Sequence, residues 1–281
     1  MSHSGSEKSA YRPKAVWAVL LLFALALLML FTSGAAGWIS DHILLPLGSL
    51  LGLTPRLDPR DALEAQDGIG PGPDEGERYI LLPEQLQYYL QMGYYSDRTS
   101  ADIQAKFIQS IGGAGYVYYD GGKYRVFAAC YNDQVSAGKV QEQVRADGYE
   151  STSYILQTDA VKIRYAIPED MDGNELSLTT LVCELGDEVL DIILEIDRQN
   201  LEKTEASAQL SGLTEKIDTL LNVIAEYPEF EPLNAYLGAC KTALSTFEQI
   251  SDTLSTAEYS AALKHVQIGI CILYHETVME L

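Results

Sequence analysis

Two stretches of the chain decide its fold: QYYLQMGYYS at residues 87–96 and KYRVFAACY at residues 123–131. Both are rich in tyrosine and other residues that favour strands, and their apolar and polar positions alternate, which indicates β-strands. The residues around them predict the other elements: a helix over 99–111, a strand over 116–119, a helix over 134–146 and a strand over 153–157. The predicted order is therefore βαββαβ, in a folded module that spans residues 83–165.

Two blocks of residues in this module form a recurring pattern. The first block is a strand with Gln-x-Gly-x-aromatic and then a helix with small residues, and its members are Gln91, Gly93, Tyr95, Ser96 and Ala101. The second block contains Tyr-Arg-Val, and its members are Tyr124, Arg125, Val126, Tyr131 and Ala137. In order and spacing the blocks resemble the SPOR domain family over about residues 85–160, with Ala129 where that family usually has a glycine. The resemblance implies a four-stranded antiparallel sheet with two helices, and binding to peptidoglycan glycan strands, preferably those stripped of stem peptides.

Strand alternation divides the side chains of the predicted sheet between two faces. The residues expected to pack onto the two helices are Leu90, Met92, Val117, Tyr124 and Val126. The opposite face is expected to be uncovered, with Phe127 as an exposed aromatic. Sugars present apolar C–H faces and hydroxyl edges, so a groove for them needs flat aromatic surfaces and a few hydrogen-bonding groups. The predicted glycan-binding residues on this face are Tyr89, Gln91, Tyr118, Lys123, Arg125 and Phe127.

Arg125 has a specific role in this prediction. A muramic acid without its stem peptide exposes a lactyl carboxylate, which a guanidinium group can hold through two charge-assisted hydrogen bonds. The same residues also allow three alternative interpretations. In the first, the aromatic face docks on helices further along the chain, since strands favour tyrosine and phenylalanine for packing alone. In the other two, Gln91 is an ordinary exposed polar residue and Arg125 belongs to a surface ion pair.

The C-terminal part, residues 174–281, has a helical period throughout. Apolar residues recur at three-to-four spacing in four stripes, which lie within 178–196, 213–224, 233–247 and 262–273. Each stripe indicates an amphipathic helix with one core face, and an antiparallel bundle is the simplest packing for such helices. The predicted fold class is thus α+β, with the βαββαβ module followed by an all-α helical bundle and preceded by an N-terminal transmembrane helix.

That N-terminal helix is predicted from residues 15–37, which are predominantly apolar. About 20 such residues are enough to cross a hydrocarbon core of about 30 Å. Basic residues at positions 8, 12 and 14 precede the run, which predicts a cytoplasmic tail over 1–14 and a single-pass topology in the cell membrane. A cleaved signal peptide is the alternative, because residues 33–36 are small. In both cases the rest of the chain is expected outside the cytoplasm.

Two segments separate the predicted anchor from the module. Residues 38–53 remain apolar but contain Asp41, His42 and Pro46, which favours an interfacial helix over a second span. Residues 54–82 are predicted to be a flexible linker, because their prolines, glycines and acids cannot bury enough apolar surface to fold.

Composition argues against several classes of function. The formal net charge of -21 disfavours nucleic acid as a partner. The four cysteines form no CxxC pair and are expected to be buried small hydrophobes; they are Cys130, Cys183, Cys240 and Cys271. Because the sequence contains no HExxH, GxSxG or Walker motif, we expect no metal, no cofactor and no enzymatic activity.

Three hypotheses for function follow from the sequence. The first is a wall-binding adaptor that is held in the membrane and engages glycan strands at a division or sporulation septum, where the septum is implied by the family resemblance alone. The second is a scaffold in which the helical bundle binds another envelope protein and the sheet is only structural. The third is a regulator of a wall hydrolase.

Overall fold

The computed structural model describes residues 77–166 and 174–281. The predicted cytoplasmic tail (1–14), transmembrane helix (15–37) and interfacial helix (38–53), and the predicted linker as far as residue 76, lie outside these residues. Among the helices that are described, none is long and apolar enough to span a membrane.

The first part of the fold is a four-stranded antiparallel sheet with two helices, which confirms the predicted mixed α+β class. Its elements are β2 (Gln85–Tyr95), α1 (Arg98–Ser110), β3 (Tyr116–Asp120), β4 (Lys123–Tyr131), α2 (Gln134–Ala146) and β5 (Thr152–Thr158). The strand order in the sheet is β3-β4-β2-β5. The helices α1 and α2 both contact the sheet, and Leu90 and Val126 are buried beneath them, as the alternation predicts.

Both helices of this part begin with the same local device. The carboxylate of Asp97 accepts a hydrogen bond from the backbone N–H of Ser100 (2.8 Å), and Asp133 does the same for Ser136 (2.8 Å). An aspartate at the N-cap satisfies one of the donors that a helix start leaves without a partner. These caps fix where each helix starts after a strand, so the βαββαβ order is encoded locally.

The central strand pair contains two β-bulges. Gln91 lies opposite Phe127, whereas the neighbouring pairs are Leu90 with Ala129 and Gly93 with Val126. Each strand therefore carries one extra residue, Met92 in β2 and Ala128 in β4, and a bulge bends its strand. The bend in β4 falls next to Ala129, so this chain bends the strand without a glycine at that position.

A second, two-stranded ribbon flanks the module and was not predicted. It pairs β1 (Glu77–Leu82) with β6 (Val161–Ala166) in antiparallel register. The predicted linker over 54–82 is therefore wrong for residues 77–82. Ile80 and Leu82 alternate along β1 and pack into the core of the helical part, an apolar periodicity that composition alone does not reveal.

Four helices follow, and they pack around one apolar core. They are α3 (Asn174–Asp197), α4 (Lys203–Ile224), α5 (Glu231–Ser251) and α6 (Thr256–Glu280), with a short 3-10 turn at Pro228–Phe230. The predicted stripes supply the buried residues of this core, from Leu178 in α3 to Ile270 in α6. Helix α6 contacts both α3 and α5, and α4 lies between α3 and α5.

Helix α6 differs from the prediction of a single core stripe. One of its faces joins the core of the helical part through Leu263, Ile270 and Tyr274. A second face, with Ile268 and Ile272, packs on the four-stranded sheet. The helix is apolar on both sides because it lies between two layers, and an all-round apolar helix is a buried one.

Candidate functional site

Helix α6 divides the sheet face that lies opposite α1 and α2 into two halves. We call the part beneath α6 the covered half, and its side chains pack with Ile268, Cys271 and Ile272 of that helix. The covered half consists of Tyr89, Tyr116, Phe127, Cys130 and Leu156, and the partly buried Tyr118 and Tyr154 pack against its border. The rest of this face, towards the hairpin turn between β3 and β4, is more exposed, with Tyr94 63% accessible, and we call it, together with Tyr118 and Tyr154, the open half.

Two of the predicted glycan-binding residues belong to the covered half. Phe127 is 0% exposed and Tyr89 is 1% exposed. The expectation that Phe127 is an exposed aromatic is therefore wrong, and the alternative that this face docks on downstream helices holds for this half. The hydroxyl of Tyr89 is also buried and has no hydrogen-bond partner among the described residues. Burial raises the pKa of Tyr89 well above its usual value.

The open half brings the other four predicted residues together. Tyr118, Arg125 and Tyr94 lie opposite one another on β3, β4 and β2, so their side chains share one face. Tyr94 is 63% exposed. The remaining members of the open half are Gln91, Asp120, Lys123, Thr152 and Tyr154.

Arg125 is the centre of the open half. Its Nε donates to Asp120 Oδ2 at 2.9 Å, and its Nη1 donates to Gln91 Oε1 at 2.9 Å. The guanidinium carbon lies 4.5 Å from the ring centroid of Tyr154, which is a cation–π arrangement. Arg125 is thus a member of an ion pair, as one of the alternatives stated, and its side chain is 24% exposed. The guanidinium plane is held in place on three sides.

The partners of Arg125 are themselves fixed by further hydrogen bonds. The Tyr154 hydroxyl donates to Asp120 Oδ2 at 3.2 Å. Gln91, which is buried, donates through Nε2 to Thr152 Oγ1 at 3.1 Å. Partial burial and the neighbouring Asp120 raise the pKa of Tyr154 to about 12, so its hydroxyl is protonated at neutral pH. The network is therefore preorganised in one arrangement.

The charges around the open half are balanced. Arg125 and Lys123 are the basic side chains, and Asp120 and Glu276 are the acidic ones. Partial burial, followed by the charges of Glu276 and Asp120, raises the pKa of Tyr118. Glu276 belongs to α6, so the covering helix also contributes a negative charge at the border of the open half. A site with this balance has little net attraction for anions or cations.

Four residues of the open half were not predicted as site residues: Tyr94, Asp120, Thr152 and Tyr154. A signal for Tyr94, Asp120 and Tyr154 was present in the sequence. Tyr94 directly precedes Tyr95 of the Gln-x-Gly-x-aromatic block, and a bulge at Met92 turns it towards the open half. Asp120 begins the turn of the predicted hairpin, and Tyr154 lies in the last predicted strand. Their proximity in the sheet depends on the register between the strands, which the sequence pattern alone does not determine.

Gly93 of the same block has a steric reason to be glycine. A Cβ atom at this position would lie 2.8 Å from the hydroxyl oxygen and 3.0 Å from a ring carbon of Tyr95. The aromatic residue two positions later therefore lies against the glycine backbone. The contact is with the far end of the Tyr95 side chain, so a Cβ atom at Gly93 would require that ring to shift.

The four predicted buried cysteines are all free thiols. Cys130, Cys240 and Cys271 are buried, and Cys183 is half-buried. Within residues 77–166 and 174–281, no group of histidine, cysteine or acidic side chains is arranged to hold a metal ion.

An open patch of tyrosine rings around fixed hydrogen-bonding groups defines a binding module. Comparison with known families agrees: residues 87–155 match the family model described as the SPOR domain, which is a peptidoglycan-binding domain family. The predicted resemblance is therefore confirmed, and the chain carries a SPOR domain over these residues. The match covers the sheet from β2 to β5, with α1 and α2, and leaves the helical part outside. No curated protein and no solved structure matched the chain.

Proposed function

We propose that the protein is a membrane-anchored cell-envelope adaptor whose SPOR domain binds peptidoglycan glycan strands through the open half. The observation that carries this proposal is the SPOR match together with the exposed Tyr94 and the partly exposed Arg125 that the same residues present. Sugar rings stack on flat aromatic side chains and exchange hydrogen bonds with polar groups at the edges. Both kinds of group surround Arg125.

The anchor and the location are further parts of the proposal. The apolar run of residues 15–37 and the basic residues before it support a single span with the N-terminus in the cytoplasm. The SPOR domain and the helices then lie outside the cytoplasm, where peptidoglycan is found. Division or sporulation septa are the proposed location, because the SPOR family suggests a division-related protein.

A second candidate function is a scaffold for another envelope protein, with the sheet only structural. The covering of half the sheet face by α6 favours this candidate, because that half serves the protein's own packing. In the scaffold the helical part binds the partner protein. Substitutions in the open half are then expected to leave binding of that partner unchanged. The two candidates differ in whether the chain needs peptidoglycan as a ligand.

Sedimentation with purified wall sacculi tests the first candidate. The full chain in detergent is mixed with intact sacculi and with amidase-stripped sacculi, and the bound fraction is measured. The adaptor binds, with a preference for stripped walls. If the chain sediments with neither, the wall-binding function is abandoned and the scaffold is adopted.

Reporter fusions test the topology separately. A reporter that works only outside the cytoplasm, fused after residue 60, is expected to be active, and a reporter restricted to the cytoplasm is expected to be silent. Activity of the cytoplasmic reporter contradicts the proposed orientation. N-terminal sequencing of the mature protein distinguishes a retained anchor, which begins near Met1, from a cleaved signal peptide, which leaves a start near Gly37.

A further inference from the structure

The ion pair in the open half leaves one donor and one acceptor side by side. Arg125 uses Nε and Nη1 for Asp120 and Gln91, and Asp120 accepts both of its hydrogen bonds through Oδ2. Among the described residues, neither Arg125 Nη2 nor Asp120 Oδ1 has a hydrogen-bond partner. Both groups are partly exposed, with side chains 24% and 35% accessible.

The charge of this pair argues against a carboxylate ligand. A ligand carboxylate at Arg125 would approach Asp120, which already neutralises the guanidinium, and Glu276 lies at the border of the same surface. Like charges at such distances repel each other, so the lactyl carboxylate predicted for Arg125 is disfavoured here. A neutral ligand meets no such repulsion.

The adjacent acetamido group on C2 and hydroxyl on C3 of a β-1,4-linked N-acetylglucosamine match the free donor and acceptor. The hydroxyl oxygen accepts from Arg125 Nη2, and the acetamido N–H donates to Asp120 Oδ1; hydrogen bonds that involve a charged partner are the stronger kind. The ring of Tyr94, which is 63% exposed, and the partly exposed ring of Tyr118 lie beside Arg125 and offer stacking surfaces for the C–H face of the sugar, while the Tyr154 ring is held against Arg125 and Phe127.

We propose that Arg125 and Asp120 act together as a clamp for the vicinal polar groups of a neutral sugar, the N-acetylglucosamine units of a glycan strand. Gln91 and Tyr154 are positioning residues, because they hold the guanidinium and the carboxylate in place. The inference rests on the proposed glycan-binding function and deepens it: the recognised unit is the uncharged sugar, and the lactyl group of muramic acid does not contribute to recognition by Arg125.

Calorimetry with the full chain in detergent and a neutral β-1,4-linked N-acetylglucosamine oligosaccharide tests the clamp. Wild type is expected to bind, and Asp120→Asn and Arg125→Gln are each expected to weaken binding about tenfold or more. Lys106→Gln is the matched control, since Lys106 is an exposed residue of α1, on the side of the sheet away from the open half, and it is expected to leave affinity unchanged. Affinity is also expected to change little between about 0.05 M and 0.5 M salt.

The outcomes separate this inference from the proposed function. Binding to stripped sacculi without binding to the neutral oligosaccharide overturns the clamp and leaves the wall-binding function intact. Binding to the oligosaccharide without binding to sacculi supports the clamp and overturns the wall-binding function. Neutral binding that Asp120→Asn does not weaken also overturns the clamp, provided that the circular dichroism spectrum and melting temperature of that variant match wild type. If the chain binds neither the sacculi nor the oligosaccharide, both proposals are overturned.

Discussion

The covered half and the open half of the sheet face are built from similar residues and differ in exposure. Tyr89 and Phe127 in the covered half are almost completely buried, whereas Tyr94 in the open half is 63% exposed. Both halves are continuous across the same strands, so strand alternation assigns them to one face. What separates them is α6, which lies across one half only. Aromatic residues on a strand therefore indicate a face, and the neighbouring layer decides which part of that face is buried and which is exposed.

The largest effect on stability is expected from aromatic truncation in the covered half. Phe127→Ala removes a ring that is 0% exposed and is expected to lower the free energy of unfolding by about 3–5 kcal/mol. Tyr94→Ala, in the open half, is expected to change it by no more than about 0.5 kcal/mol. Denaturant unfolding of the two variants compares the halves directly. Equal losses would show that α6 does not cover the sheet as described.

Two glycines with the same backbone φ angle offer a comparison of intermediate size. Gly115, before β3, and Gly121, in the hairpin turn, both have a φ of +56°. Alanine at either position is expected to cost about 1–2 kcal/mol for the left-handed backbone. At Gly115 the new Cβ would also lie 2.3 Å from the carbonyl oxygen of Ala105, which is expected to add about 1–3 kcal/mol of steric strain. At Gly121 there is nothing within 4 Å.

Thermal and denaturant unfolding of Gly115→Ala and Gly121→Ala measure this difference. Gly121→Ala, in the hairpin turn, is expected to lower the free energy of unfolding less than Gly115→Ala, next to α1. A Gly121→Ala variant that is as unstable as Gly115→Ala would mean that the hairpin turn is packed against residues other than those described here.

The βαββαβ order could be predicted from the sequence because its signals are local. Strand alternation, the aspartate caps at Asp97 and Asp133 and the glycines after α1 act over a few residues each. The assignment of Leu90 and Val126 to the helix side was correct for the same reason. The ribbon of β1 and β6 was not predicted because its strands are short and distant in sequence. In addition, β1 directly follows a segment rich in proline, glycine and acidic residues, whose composition indicates a linker.

The division of the sheet face could not be predicted, because it depends on contacts between residues far apart in the chain. Ile268 and Ile272 in α6 do carry a signal, since this helix is apolar on more than one side. That signal indicates two packing partners without identifying them. The Arg125–Asp120 pair was more accessible to prediction: the two residues lie diagonally across a hairpin whose turn was recognised.

The smallest expected effect is a loss of stability at high pH. The pKa of Tyr154 is raised from 10.0 to about 12 in the folded protein, so folding is favoured while this hydroxyl is protonated. Its contribution is fully present below pH 10 and is lost as the pH rises through about 12. In Tyr154→Phe the denaturant midpoint is expected to fall less over this interval than in wild type. If Tyr154→Phe and wild type lose stability equally, the hydroxyl does not interact with Asp120 as described.

Binding of two variants to stripped sacculi tests the central claim most directly. Arg125→Ala changes the open half, and Tyr89→Phe removes a buried hydroxyl from the covered half while its ring remains in place. Arg125→Ala is expected to reduce affinity about ten- to a hundredfold, since hydrogen bonds to charged groups contribute about 1.5–3 kcal/mol. Tyr89→Phe is expected to bind like wild type. Normal binding by Arg125→Ala, or weakened binding by a folded Tyr89→Phe, would contradict the assignment of glycan binding to the open half.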